Sequence, residues 1–308
     1  MVPTYPLRFF LILALAALAC GLPVASPSPT AESVEATVPA PTEAPVTSPS
    51  ALTLEQINNV QYPVLIREDG LVVQLTDGSF QQGTDATDVD FAYVQVTQFH
   101  AFGDLTGDGA GDAAVIFLEN YGGTGQFGVL AIYANVAGEP VFLDSVLIDD
   151  RPMINDISIE NGEVFIDAVV HGFEDGGCCP TLPSTRRYAL VKNKLWLMSY
   201  TTDTPGGDRR SIDITLPADG TEVSGSVQVT GTVSIAPFEN NLSYFVYDEN
   251  GNQFAAGPIM VMAPDFGAPG TFDETFTLAG IPAGTVIYLE IHDQNAADGS
   301  LFALDVVK

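Results

Sequence analysis

The stretch Ile157-Ser-Ile-Glu-Asn-Gly-Glu-Val-Phe-Ile166 reads as two short alternating runs joined by Asn161-Gly162. Asn-Gly is the pair that best tolerates the two left-handed residues of a type I′ turn, so the stretch predicts an antiparallel hairpin. Residues 188–191 and 195–197, around Lys192-Asn193-Lys194, predict a second. Upstream lie an apolar run at 71–75 leading into Asp77-Gly78, weak alternation over 94–102 and an apolar strand at 113–118. Thr53-Leu-Glu-Gln56 has capping-box spacing and predicts a short helix running through Asn59. Residues 51–204 therefore read as an antiparallel-sheet domain with little helix, and the chain as mainly β.

Residues 203–210 are polar, contain Pro205-Gly206-Gly207 and mark a boundary. After it come seven short apolar-alternating runs, at 212–216, 227–233, 242–247, 254–262, 272–278, 286–291 and 302–307. Seven short strands in a segment spanning 210–308 suit a β-sandwich of the immunoglobulin type. The segment has no cysteine or tryptophan, so the antibody-type disulfide and its tryptophan are missing.

The chain has 308 residues and a net charge of −29, from 39 acidic and 10 basic side chains. Both β regions share the acidity, so the field repels nucleic acid and anionic polymers, and a nucleic-acid role is excluded. At the N-terminus Arg8 precedes an apolar run over residues 9–19, about half the length of a membrane span. The run ends in Ala17-Leu18-Ala19-Cys20, and residues 1–19 read as a signal peptide. The sequence resembles the lipobox of bacterial lipoproteins, with Ala17 where that family more often has leucine. The resemblance implies acylation of Cys20, hence a membrane partner through fatty chains such as palmitate and an extracytoplasmic, lipid-anchored location. Residues 21–50 hold seven prolines and no aromatic residue, so 20–50 read as a stalk. It reaches up to roughly 90 Å if fully polyproline-II.

Two motifs in the first β region could carry chemistry. In Asp104-Leu-Thr-Gly-Asp108-Gly-Ala-Gly-Asp112, oxygen ligands recur at alternate positions with a glycine sixth. That spacing suits a calcium-wrapping turn, because a hard cation wants several oxygens around a sharp bend. It resembles the calcium loops of dockerin modules and integrin-type propeller repeats. The implied Ca2+ ligands are Asp104, Thr106, Asp108 and Asp112 through side chains and Ala110 through its carbonyl. The competing reading is a Gly/Asp-rich turn between strands, and Val115 at the twelfth position excludes an EF-hand. The other motif is Gly176-Gly-Cys178-Cys179-Pro180. If Cys20 is acylated, an internal disulfide must join the adjacent Cys178 and Cys179; free thiols or a bond to another chain are the alternatives. His171 and Asp175 lie close enough in sequence to allow a thiol site on paper, but no hydrolase signature surrounds the pair. Alternation places His100 and His171 on half-buried strand faces and turns His292 to water, so the three histidines make no zinc site or triad.

Leu216-Pro-Ala-Asp-Gly-Thr-Glu-Val-Ser-Gly225, Val229-Thr-Gly-Thr232, Pro237-Phe-Glu-Asn-Asn-Leu242, Tyr247-Asp-Glu-Asn-Gly251, Gly267-Ala-Pro-Gly-Thr-Phe272 and Asp298-Gly-Ser300 occur in that order. This set resembles the immunoglobulin-like domain of bacterial spore germination proteins. The resemblance covers nearly all of 211–308 and implies an extracytoplasmic sandwich for binding or scaffolding, with no catalytic residues. Residues 51–204 resemble a module of exported bacterial proteins with the same Gly-Asp-Leu, Gly-Asp-Gly and Cys-Cys-Pro elements. The expected function is a non-enzymatic envelope lipoprotein whose partner is an envelope polymer or protein. The alternatives are a surface hydrolase using Cys178 or Cys179 with His171, and a calcium-dependent adhesion protein.

Overall fold

The computed structural model describes residues 50–308 apart from Glu68. The leader, Cys20 and all of the stalk but Ser50 lie outside the described residues.

Thr53 opens α1 (Leu54–Ile57) with the expected capping box, its hydroxyl accepting from the Gln56 amide and the Gln56 side chain accepting from the Thr53 amide. The helix closes on Asn58, one residue short of the expected end. β1 (Gln61–Pro63) and β2 (Val72–Gln74) pair as a small ribbon. A five-stranded antiparallel meander follows in chain order: β3 (Ser79–Gln82), β4 (Ala92–Gly103), β5 (Asp112–Asn120), β6 (Phe127–Val136) and β7 (Glu139–Asp150).

β5 and β6 are buried on both faces, which is why 113–118 reads as an unbroken apolar run rather than an alternating one. One face packs Val115, Phe117 and Tyr133 against Ile57, Tyr62 and Leu75 from α1 and the ribbon. The other packs Ile116, Leu130 and Ile132 against the next sheet. Each such aliphatic or aromatic side chain contributes about 1.5–3 kcal/mol by leaving water, so this strand pair anchors the first half of the molecule.

The next strands are β8 (Met153–Glu160), β9 (Glu163–Val170), β10 (Leu182–Val191) and β11 (Lys194–Asp203). Asn161 and Gly162 join β8 to β9 with φ of 53° and 80°, as the opening stretch requires. The β10–β11 turn is two residues, Lys192 and Asn193, both at positive φ, and Lys194 is already in the strand. The polar segment after β11 folds back as β12 (Arg209–Arg210), which pairs with Thr202 and Asp203.

The remaining seven strands fall on the seven predicted runs: β13 (Ile212–Leu216), β14 (Ser226–Val233), β15 (Asn241–Asp248), β16 (Gln253–Met260), β17 (Gly270–Thr277), β18 (Ile287–Gln294) and β19 (Leu301–Val307). β13-β14-β17 form one layer of a sandwich and β16-β15-β18-β19 the other. Val229, Leu242, Ile259, Phe272 and Ile291 fill the space between them.

The second layer does not end at β19. Ser199 and Tyr200 of β11 pair with Asp305 and Leu304, so one nine-stranded sheet runs β16-β15-β18-β19-β11-β10-β9-β8, with β12 beside β11. Its β8–β10 end is covered on one face by the meander. Its β15–β19 end is covered on the opposite face by the three-stranded layer. The continuation also corrects the expectation for His292. Its face carries Tyr288, Leu304 and Val306, which pack with Met198 and Tyr200 of β11. The His292 side chain is 12% exposed, with Nε2 2.9 Å from Glu290 and the ring 4.8 Å from Phe245. It is packed among its neighbours on the sheet face rather than turned to water.

Two buried carboxyls sit near the β11–β19 seam. Burial pushes Asp293 up to about 6 against the pull of Arg210, 3.4 Å away. Burial pushes Asp305 up to about 6 as well, against the bond it accepts from the Ile214 amide and the nearby Arg187. Between pH 4 and 6 the folded chain keeps these protons while the unfolded chain releases them. Their contribution to stability therefore falls as pH rises through that window and is level above it. The stability difference between wild type and the Asp293→Asn/Asp305→Asn double variant is expected to shift by about 2–4 kcal/mol between pH 4 and pH 7, wild type losing ground. Urea unfolding at both pH values checks this; a constant difference would refute it.

Candidate functional site

The Gly/Asp motif forms the turn between β4 and β5, and its carboxylates are turned onto the backbone. Asp104 accepts from the amides of Gly107 (2.7 Å) and Gly109 (2.9 Å). Asp108 Oδ1 accepts from the Ala110 amide at 2.8 Å. Asp112 is fully buried, with Oδ2 accepting from Leu105 (2.9 Å) and Thr106 (2.8 Å) and Oδ1 from Asn135 (2.8 Å). Thr106 is exposed and Ala110 is buried. Among the described residues no group of three or more His, Cys, Asp or Glu is arranged to hold a metal ion. Asp104, Thr106, Asp108, Ala110 and Asp112 lie together in this turn, and the bonds its three carboxylates make here are to backbone amides. Those carboxylates satisfy amides of the tight turn that have no partner within the strands.

Cys178 and Cys179 are joined by a disulfide on an exposed loop between β9 and β10. Asp175 closes this loop by accepting from the amides of Gly172 (2.8 Å) and Thr181 (2.7 Å) and from the Thr181 hydroxyl (2.7 Å). Those bonds hold its carboxyl below the usual carboxylate range. The Gly177 carbonyl accepts from Arg151. His171 follows the end of β9; Asp149 accepts its amide, lies 2.9 Å from ring Nδ1, and leaves Nε2 buried without a hydrogen-bond partner.

The same loop borders a cleft of about 1080 Å³. The cleft lies where the nine-stranded sheet changes the face on which it is covered. β7 supplies one wall through Val146–Asp149, β10 and β11 the floor through Arg186, Tyr188, Leu197 and Tyr200, and the loop after His171 the rim. Arg186 lies at an inward position, beside Ile166 on β9 and Tyr200 on β11. Its Nη1 donates to the Ile148 carbonyl (2.8 Å), its guanidinium carbon is 5.2 Å from the centre of the Tyr200 ring, and its Nε is buried with no partner. A guanidinium taken out of water costs several kcal/mol unless a counter-charge meets it.

The opposite wall is the end of the sandwich. Arg210 stacks on Phe302 at 4.4 Å and borders the cleft with Asn295, Ser300 and Leu301. With two layers of three and four strands, Greek-key-type pairing and no disulfide, this sandwich has the architecture that its sequence pattern implies. Residues 211–300 match the family model for the immunoglobulin-like domain of bacterial spore germination. No curated protein and no solved structure matches the chain. The match ends at Ser300, so the Asn295–Ser300 wall of the cleft belongs to the immunoglobulin-like domain, while Leu301 and Phe302 open its last strand. The family suggests a non-catalytic binding or scaffolding role for that domain.

Sequence reasoning passed over Arg186. The signal was available: Ser184, Arg186, Tyr188 and Leu190 alternate on one face, and a charged residue at an inward position is the informative exception in a strand. Asp149 carried no such signal, since its partner His171 is 22 residues away.

Proposed function

We propose that this chain is a lipoprotein of the bacterial envelope that binds an envelope component outside the cell without catalysing a reaction. The observation that carries the reading is the match of residues 211–300 to an immunoglobulin-like family. The leader, Cys20 and the proline-rich stalk support it by giving an export signal, an acyl acceptor and a spacer. The cleft supports it by offering a concave, mostly apolar site with a few polar groups, the usual form of a ligand site.

Two measurements on the full chain made in a bacterial host test the reading. Mass spectrometry of the mature protein is expected to find Cys20 as the first residue, carrying acyl groups. Isolated envelope fractions are expected to bind the protein saturably. A mature chain that retains residues 1–19, or no binding to any envelope fraction, would overturn it.

A further inference from the structure

We infer that the cleft binds an amphiphile with one anionic head, which pairs with Arg186, and an apolar body lying along Leu182, Leu195, Leu197 and Phe302. The inference rests on the binding function proposed above and adds the chemistry of the ligand.

The argument starts from scarcity. The chain has 10 Lys and Arg against 39 acids, so a cation without a carboxylate is out of place in it. Among the described residues Arg67, Arg151, Arg187, Lys192, Lys194, Arg209 and Arg210 each have a carboxylate within 4.0 Å. The exceptions are Arg186 and the exposed C-terminal Lys308. Among them only Arg186 combines the missing carboxylate with a buried, unpartnered nitrogen, its Nε, and it does so on the floor of the cleft.

The acids around the cleft do not fill this gap. Asp149 is engaged by His171, Asp175 by Gly172 and Thr181, and Asp203 by Arg209. Glu174 on the rim is exposed. Arg210 already has Asp293. An anion from outside is the remaining partner for the Arg186 guanidinium, whose planar fork suits a carboxylate or phosphate.

The charge of the whole chain then limits the ligand. At −29 it repels a polyanion, so a single head group is favoured and the affinity must come from apolar burial. The walls supply that surface through leucines and Phe302. A fatty carboxylate and a single-chain phosphate share this chemistry.

Isothermal titration of the full chain with dodecanoate, dodecyl phosphate and neutral dodecanol tests the inference. Dodecanoate and dodecyl phosphate are the two sources of the head group, and the tighter of them identifies it. At least one is expected to bind one-to-one, with dodecanol roughly 10- to 100-fold weaker, the range for losing a charge-assisted hydrogen bond. Arg186→Met is expected to erase that preference while melting at the wild-type temperature or above it, because an apolar isostere removes an unpaired charge. Arg186→Lys is expected to restore the preference in part. A purely structural Arg186 predicts the reverse: a lower melting temperature for Arg186→Met and no head-group preference in wild type. Absence of binding by both anions, equal binding of dodecanol, or an unchanged preference in Arg186→Met would overturn the inference. If envelope fractions still bind saturably in that case, only the ligand chemistry is wrong; if they do not, the proposed function falls as well.

Discussion

Glu119→Ala is expected to cost about 3–5 kcal/mol of stability, as measured by urea unfolding, because it removes the acceptor for four donors in a dry site. Glu119 lies on β5 with no exposed surface. Its Oε1 accepts from the Tyr62 hydroxyl and the Leu65 amide (3.1 Å); its Oε2 accepts from the Ile66 amide (3.2 Å) and the Tyr121 hydroxyl (2.7 Å). Burial, reinforced by the Glu119 charge, pushes both phenols well above the usual tyrosine range, so they remain donors at any working pH. The carboxylate ties the segment after β1 to the doubly buried core strand. Without it two phenols and two amides are left to compete for nothing. Tyr121→Phe removes one donor and is expected to cost about 1 kcal/mol. If Glu119→Ala cost no more than Tyr121→Phe, the view that this carboxylate organises the ribbon would be wrong.

Asp112→Ala is the second large effect, expected at about 3–4 kcal/mol, because three backbone amides lose their acceptor inside the protein. Asp112→Asn is expected to recover little of this, since its amide group would turn hydrogens toward the donors that the carboxylate accepts. Asp108→Ala provides the comparison. Asp108 is exposed and accepts only the Ala110 amide, so its loss should stay at or below about 1 kcal/mol. A calcium loop would give a different pattern: Asp104, Asp108 and Asp112 would all matter, and chelation would lower the wild-type melting temperature. The turn geometry predicts one severe variant, one mild variant and no response to chelator. Equal losses at Asp108 and Asp112, together with a chelator effect, would establish the calcium loop instead.

The two effects show how far local pattern reaches. Alternation around Asn161-Gly162 and the seven runs after residue 211 located strands closely, because side-chain direction and turn conformation are set by neighbours a few residues apart. The Gly/Asp motif was equally visible, but its use was not. An aspartate in a tight turn can face a cation or the turn's own amides, and the choice depends on what packs behind it. At Asp112 that includes the Asn135 amide, 23 residues away on β6. His292 misled because burial depends on neighbours outside its own strand. Its face alternates outward from the sandwich, yet the ring is enclosed by its neighbours Glu290 and Phe245.

By itself the sequence determined a mainly β chain, its hairpins, and a C-terminal segment with the strand count and motifs of an immunoglobulin-like sandwich. Only the tertiary structure decided that β19 pairs with β11, joining both β regions in one sheet whose covered face changes side. That pairing joins Ser199 to Asp305 and has no local signature, because a sheet edge presents the same amides and carbonyls whatever strand comes to meet it. That pairing brings the end of the sandwich to the cleft whose floor carries Arg186, the site where a ligand is expected.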